Sequence, residues 1–308
     1  MTAPTQGQAE LQATRESKGP RPERKASQAY LKLPAIVVLF LWSVIPLVMT
    51  IWFSFRRYDL MEPDRKGFDG LGNYRYLFSD PSLLLSLWNT VLLVGSVLVI
   101  TIGLGTLLAV LFDQEFFGRG IARVLTLAPF FVMPTVSALV WKNMMLHPDN
   151  GIAAFLMRSV HLKPIDWFAV APMTSIIVIV SWEWLPFAFL TLLTAIQSLD
   201  AERVEAAKMD GAGPIALFRY IIWPHLDRAV AAVTMIESIF LLGIFAEIYV
   251  TTSGGPGYAS SNLSFLIYRY ALSEYDIGGA SVCGVIAIVV ANLLALGLVR
   301  SAARNVEG

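Results

Sequence analysis

The sequence predicts an all-α integral membrane protein with six transmembrane helices, both termini on one face of the membrane, and a structured polar loop between the fourth and fifth spans. Three observations lead there. Of 308 residues, 56% are hydrophobic and 15% charged, with a mean hydropathy of +0.62, whereas a soluble domain carries about 25% charged residues. Six apolar runs are each long enough to cross a hydrocarbon core of roughly 30 Å. The loops on the two sides hold 14 and 9 Lys plus Arg, and the richer side, which includes both termini, is cytoplasmic by the positive-inside rule. A net charge of +0 supplies no field that would draw nucleic acid. The single cysteine, Cys283, excludes an internal disulfide and reads as a small core residue within an apolar run.

Residues 1–28, with Pro4, Pro20, Pro22 and many polar side chains, show no apolar periodicity and predict a disordered cytoplasmic tail. Residues 29–308 form one transmembrane domain, without internal repeats. Its first span, 33–55, measures about 34 Å as a helix, too long for the apolar stretch of a cleavable signal and without a cleavage site after it. The remaining spans are 87–111, 121–146, 173–199, 229–250 and 277–299.

The loop at 200–228 is too polar to span and too patterned for a slack linker. It reads as two short helices. Asp200 can cap the first, Glu202 suits its positive end, Lys208 its negative end, and Gly211 supplies the left-handed residue that closes it. Pro214 opens the second helix and Pro224 stops it. Ala206 and Ala207 leave a flat patch beside Glu205 that another protein surface could approach. The same alanines also fit a plain surface helix chosen for helix propensity.

Glu205-Ala206-Ala207, Asp210-Gly211, Ile221 ten residues after the glycine, and Pro224 together resemble the EAA loop of binding-protein-dependent ABC importer permeases. In that family the loop is a cytoplasmic coupling helix that docks into a cleft on the ATPase subunit. Trp223 departs from the pattern, since members usually carry Leu before the Pro. The stretches Gly70-Leu-Gly-Asn-Tyr-Arg-Tyr-Leu-Phe78, Asn89-Thr90 and Gly254-Gly255-Pro256 resemble the carbohydrate, maltose-like and polyol, branch. Asp276-Ile-Gly-Gly-Ala-Ser281 is similar to sorbitol and mannitol permeases. The likeness covers roughly residues 33–300. It implies a multi-pass protein of the bacterial inner membrane, importing a sugar or sugar alcohol by alternating access. The partners it implies are ABC ATPase subunits, a second homologous permease and an extracytoplasmic solute-binding protein, in addition to the membrane lipid.

The chain reads as a transport subunit rather than an enzyme. None of its seven lysines is followed by Ser or Thr, as a P-loop requires, so ATP and Mg belong on the partner ATPase and no cofactor is expected here. His147, His161 and His225 lack partners at metal-ligand spacing, and no Gly-x-Ser-x-Gly elbow occurs. A secondary transporter or channel for a small polar solute remains the alternative, and a purely structural subunit a third reading.

Charged groups inside a bilayer are costly unless they face the bundle interior or a water-filled cavity. Glu183 falls about 15 Å into the fourth span, between Trp182 and Trp184; Glu237 lies in the fifth span. A carboxylate can accept hydrogen bonds from hydroxyls and a flat indole can cover C–H faces, so these four residues are the candidate solute pathway. Ordinary helix packing accounts for the same residues. Glu247, close to the end of its span, is a weaker candidate, and Asn292 can equally bond to a neighbouring helix.

Overall fold

A computed structural model describes residues 25–62, 64 and 66–307. Most of the expected tail, residues 1–24, lies outside them. The chain divides into two units, up to Met49 and from Thr50 onward.

The first unit is carried by residues 25–49 of helix α1 (Lys25–Ser54), which contains Pro34 and Pro46. From Lys32 the helix is 23 residues long with the apolarity of a span.

The second unit begins with the end of α1 and a two-residue antiparallel ribbon, β1 (Arg56–Arg57) with β2 (Gly67–Phe68), in which Arg56 faces Phe68. Helix α2 (Gly72–Ser79) follows, and its Asn73 donates to the carbonyls of Ser54 and Arg56 at 3.1 and 2.8 Å. Asp80 then caps α3 (Pro81–Asp113) by accepting from Ser82 N at 2.8 Å, with Pro81 in the first turn where its missing N–H costs nothing. Helix α4 (Arg119–Leu127) leads through a 3₁₀ turn at Ala128–Phe131 to α5 (Pro134–Val140), which is extended by a π-helical turn, Trp141–Met145. Two short helices, α6 (Ile152–Ser159) and α7 (Trp167–Val170), precede the central α8 (Pro172–Gln197). The polar loop contains α9 (Ala201–Met209) and α10 (Pro214–Leu217), followed by a π turn at Phe218–Ile222 and α11 (Trp223–Leu241). Helices α12 (Ala246–Thr251), α13 (Leu263–Tyr268), a π turn at Arg269–Ser273 and α14 (Ile277–Glu307) complete the chain.

Helices α3 and α8 form the central pair. Their approach is set by Gly105, where a Cβ would lie 3.1 Å from both Ala188 Cβ and Phe189 N. Without water to drive association inside a bilayer, such close backbone contact supplies the dispersion that holds helices together. One core cluster gathers Leu93, Ile176, Val180, Leu241 and Ile248; a second gathers Ala109, Phe189, Leu192, Leu226 and Val233. A third joins Leu77 and Leu83 to Leu263, Val282 and Cys283, so the lone cysteine is core.

Two expected spans are not straight helices. The segment at 121–146 bends by 106° between Phe131 and Pro134. Pro134 forces extended backbone on Met133, at φ −62° and ψ 136°. The segment at 229–250 ends its helix at Leu241 and restarts at Ala246. Breaking a helix inside a membrane leaves carbonyls that must find donors. Here Ser264 Oγ donates to Leu242 O at 2.7 Å and Asn262 Nδ2 donates to Ile244 O at 2.6 Å.

The chain between α12 and α13 is fastened back to α3. Asn89, only 4% exposed, donates to the carbonyls of Tyr258, Ala259 and Ser261 at 3.0, 3.3 and 2.9 Å. Thr90 Oγ1 accepts from Leu263 N at 3.0 Å. On the other side of α12, the half-buried Lys142 donates from Nζ to Val250 O at 2.9 Å, placing a cation at a helix C-terminus.

Candidate functional site: the polar hairpin and the buried carboxyls

The hairpin forms for the reasons its sequence predicts. Asp200 Oδ1 accepts from Glu202 N at 3.1 Å, Lys208 lies in the last turn of α9, and Gly211 adopts φ +84°. Ala212 N and Gly211 N then donate to Ala207 O and Lys208 O, at 2.9 and 3.1 Å, closing the helix end. Pro214 opens α10. The expectation that Pro224 stops the second helix is corrected. Trp223 N donates to Phe218 O, five residues back, and this wider turn lets Pro224 enter as a first-turn residue of α11, where no N–H is needed.

No residue from 200 to 225 is buried, and Met209 and Ile215 are 88% and 84% exposed. Two cavities flank α9. The larger, about 770 Å³, brings together Ala206, Ala207, Asp210, Ile221 and Pro224 with Arg203 and Tyr220, two residues that the motif does not single out. Glu205 lines the other cavity, about 520 Å³, with Lys208, Phe218 and Ile222, and Gly211 is exposed at the turn. Glu205 and the paired alanines thus lie on different sides of one helix turn rather than on one patch. Beneath them, His225 Nε2 donates to Ala195 O at 3.0 Å and lies 3.1 Å from Ser198 Oγ, tying the start of α11 to the end of α8.

The four intramembrane candidates are not brought into one patch. Trp182 packs edge-on against Trp141 at 5.8 Å. Trp184, two residues on and so on another face, packs against Phe130, Phe187 and Phe240 at 5.3–6.1 Å. Glu237 is fully buried and its Oε2 accepts from Thr101 Oγ1 at 2.7 Å, while its Oε1 has no partner. Glu183 faces Glu247 and Ser137. Glu247, taken from sequence as close to water, is 2% exposed. The break after Leu241 redirects α12 into the interior, a consequence that helical periodicity along one segment does not carry. Among the described residues, no group of three His, Cys, Asp or Glu is placed to hold a metal ion.

The model of a family described as "binding-protein-dependent transport system inner membrane component" matches residues 101–308. The chain belongs to this family. It is a multi-pass inner-membrane protein, mostly helical, with four or five candidate membrane-crossing segments among the described residues. A probable ABC transporter permease protein of Sinorhizobium fredii is 30% identical over 257 residues, covering 83% of each chain. The trehalose/maltose transport system permease protein MalF of Thermococcus litoralis is 29% identical over 265 residues, 83% of this chain and 88% of that one. Among solved structures, a chain of a bacterial ABC transporter involved in the import of the acidic polysaccharide alginate superposes with a TM-score of 0.76 at 22% identity, over 92% of this chain and 96% of that one. At that identity the likeness is one of fold. Membership of that family makes the chain a transport-system component.

Proposed function

We propose that this permease takes a sugar or sugar alcohol across the inner membrane by alternating access, driven by a separate ATPase that binds the hairpin at 200–228. The observation that carries the reading is the hairpin itself: a capped helix pair with no buried residue from 200 to 225, two cavities and bare Met209 and Ile215. A free apolar surface on a capped helix pair suits a protein partner. In this reading Glu205, Ala206, Ala207, Asp210, Gly211, Ile221 and Pro224 form the ATPase contact, with ATP and Mg bound by that partner. Six spans follow if the bent segment at 119–145 and the broken one at 223–251 each cross once, which sets both termini and the hairpin in the cytoplasm. A second permease completes the pathway and an extracytoplasmic binding protein delivers solute.

The carbohydrate assignment is supported by relatives named for trehalose and maltose and for alginate, and the polyol preference by the resemblance at 276–281 alone. Trp182, Glu183, Trp184 and Glu237 remain the proposed solute contacts, the unpartnered oxygens of Glu183 and Glu237 being free to accept from hydroxyls. Affinity purification of the tagged chain in mild detergent, with identification of its companions, tests the whole. Recovery of a P-loop ATPase that Glu205→Ala releases supports the reading. A solitary chain that moves solute in liposomes overturns it in favour of a secondary transporter or channel.

A further inference from the structure

Two spans are broken, and the second half of one packs on the second half of the other. Helix α5 follows the bend of 106° between Phe131 and Pro134, α12 follows the opening at 242–245, and α5 packs chiefly on α12. The first halves belong elsewhere. Ala122 and Leu127 of α4, with Leu226 and Val233 of α11, join the cluster around Phe189 and Leu192, whereas Ile248 of α12 joins the cluster around Leu93 and Ile176. Neither break carries a continuous helical ladder, so a few residues in each can absorb a change of direction between the two halves of its span.

One cation bridges the contact between the second halves. Lys142 lies in the π turn that extends α5, which Leu146 N closes by donating to Trp141 O at 2.8 Å, and its Nζ donates to Val250 O at 2.9 Å. That carbonyl must find its donor outside its own helix. Ser253, at φ +51°, turns the chain out of α12, its N–H reaches back to Ile248 O at 2.8 Å, and Gly254 N turns to Thr252 Oγ1 at 3.3 Å. Asn143, next to the lysine, donates to Leu139 O on its own helix. Among the described residues Lys142 forms no ion pair, and no other hydrogen bond joins the segment Pro134–Met145 to α12. An ammonium on a free carbonyl at the negative end of a helix makes a charge-assisted bond, and separating the two would leave both without a partner. We propose that Lys142 is a latch that joins α5 to α12, so that the second halves of the two broken spans move as one body, hinged between Phe131 and Pro134 and at 242–245.

The latch depends neither on the solute nor on the partner ATPase, and it can be tested on the full-length chain purified in detergent. Spin labels are attached to pairs of introduced cysteines, the native Cys283 being buried. One pair, Val136→Cys with Ser253→Cys, spans the contact between α5 and α12; the other, Leu125→Cys with Val136→Cys, spans the bend, and all three positions are exposed. With Lys142 in place, the first pair should give a narrow distribution of distances and the second a broad one. Lys142→Met, which keeps the apolar stem and deletes the donor, should broaden the first distribution to the width of the second. Lys142→Arg, which can still donate to Val250 O, should keep it narrow, a rescue that loss of packing alone would not produce. A first pair that stays equally narrow in Lys142→Met overturns the latch. So does a first pair as broad as the second while Lys142 is intact, a comparison that decides the matter even if the Met variant fails to fold.

Discussion

Replacing Asn89 should loosen the chain between α12 and α13 more than any other single amide change in the described membrane part. Its Nδ2 reaches three carbonyls, those of Tyr258, Ala259 and Ser261, with two hydrogens to share among them. Tyr258 O keeps its bond from Ser261 N at 3.1 Å, so truncation to Ala strands the carbonyls of Ala259 and Ser261. At about 1–3 kcal/mol for each buried group left unsatisfied, the cost is about 2–6 kcal/mol. Asn89→Asp should be no milder, since it presents acceptors to acceptors. Asn292→Ala is the control, because that exposed side chain bonds only to Ile288 O one turn back on its own helix, and its loss should cost less than about 0.5 kcal/mol. Denaturant unfolding of the purified chain gives the magnitude, and hydrogen exchange at Ser261 to Leu263 localises it. An Asn89→Ala protein within about 0.5 kcal/mol of wild type, with unchanged exchange there, would refute the argument that this amide holds the segment.

Gly105→Leu should destabilise by about 1–3 kcal/mol through overpacking against Ala188 and Phe189, whereas Gly103→Ala, which meets nothing within 4 Å, should be neutral or gain up to about 1 kcal/mol of helix propensity; unfolding midpoints compare the two. Gly211→Val places a branched side chain at φ +84°, at a local cost of about 1–2 kcal/mol, and limited proteolysis should cut the hairpin faster while the membrane-embedded part stays intact. Burial, followed by the nearby Asp59, holds the Asp276 carboxyl above its ordinary range. Its contribution is then greatest in acid and falls as pH rises through the raised value. Asp276→Asn keeps the oxygen that accepts from Gly279 N at 3.0 Å and removes the charge, so its stability should depend less on pH than the wild type's, as read from melting temperatures across the acid range.

Local grammar carried the hairpin. Asp200, Lys208, Gly211 and Pro214 act through bonds within a few residues, so their types and spacing were enough to place both helices. The long spans were legible for a similar reason, since length and apolarity are properties of a segment. What could not be read in this way depends on distant chain. The break after Leu241 survives because Ser264 and Asn262 supply donors to its carbonyls, and Asn89 reaches carbonyls about 170 residues away. The Asn89-Thr90 and Gly254-Gly255-Pro256 stretches are separate likenesses in the sequence, and the structure joins the first to the loop that contains the second. Glu183 and Glu247 both read from sequence as intramembrane acids, but periodicity leaves Glu247 near the end of its span, and its burial at 2% exposure follows from the turn of the chain after Leu241. Pro224 misled because a proline normally ends a helix, and here a single π turn at Phe218–Ile222 reset the register ahead of it.

That π turn has a mechanical corollary. Because helical backbone runs without a gap from Pro214 to Leu241, the exposed hairpin and the deep interior share one rod, roughly 40 Å long by helical rise. The rod is anchored part-way along by His225 on Ala195 O and stops where the backbone opens at Leu242. A force applied at Ile215 therefore travels as rotation or thrust to Glu237 without a soft joint on the way, and the compliance of the system is concentrated beyond Leu241.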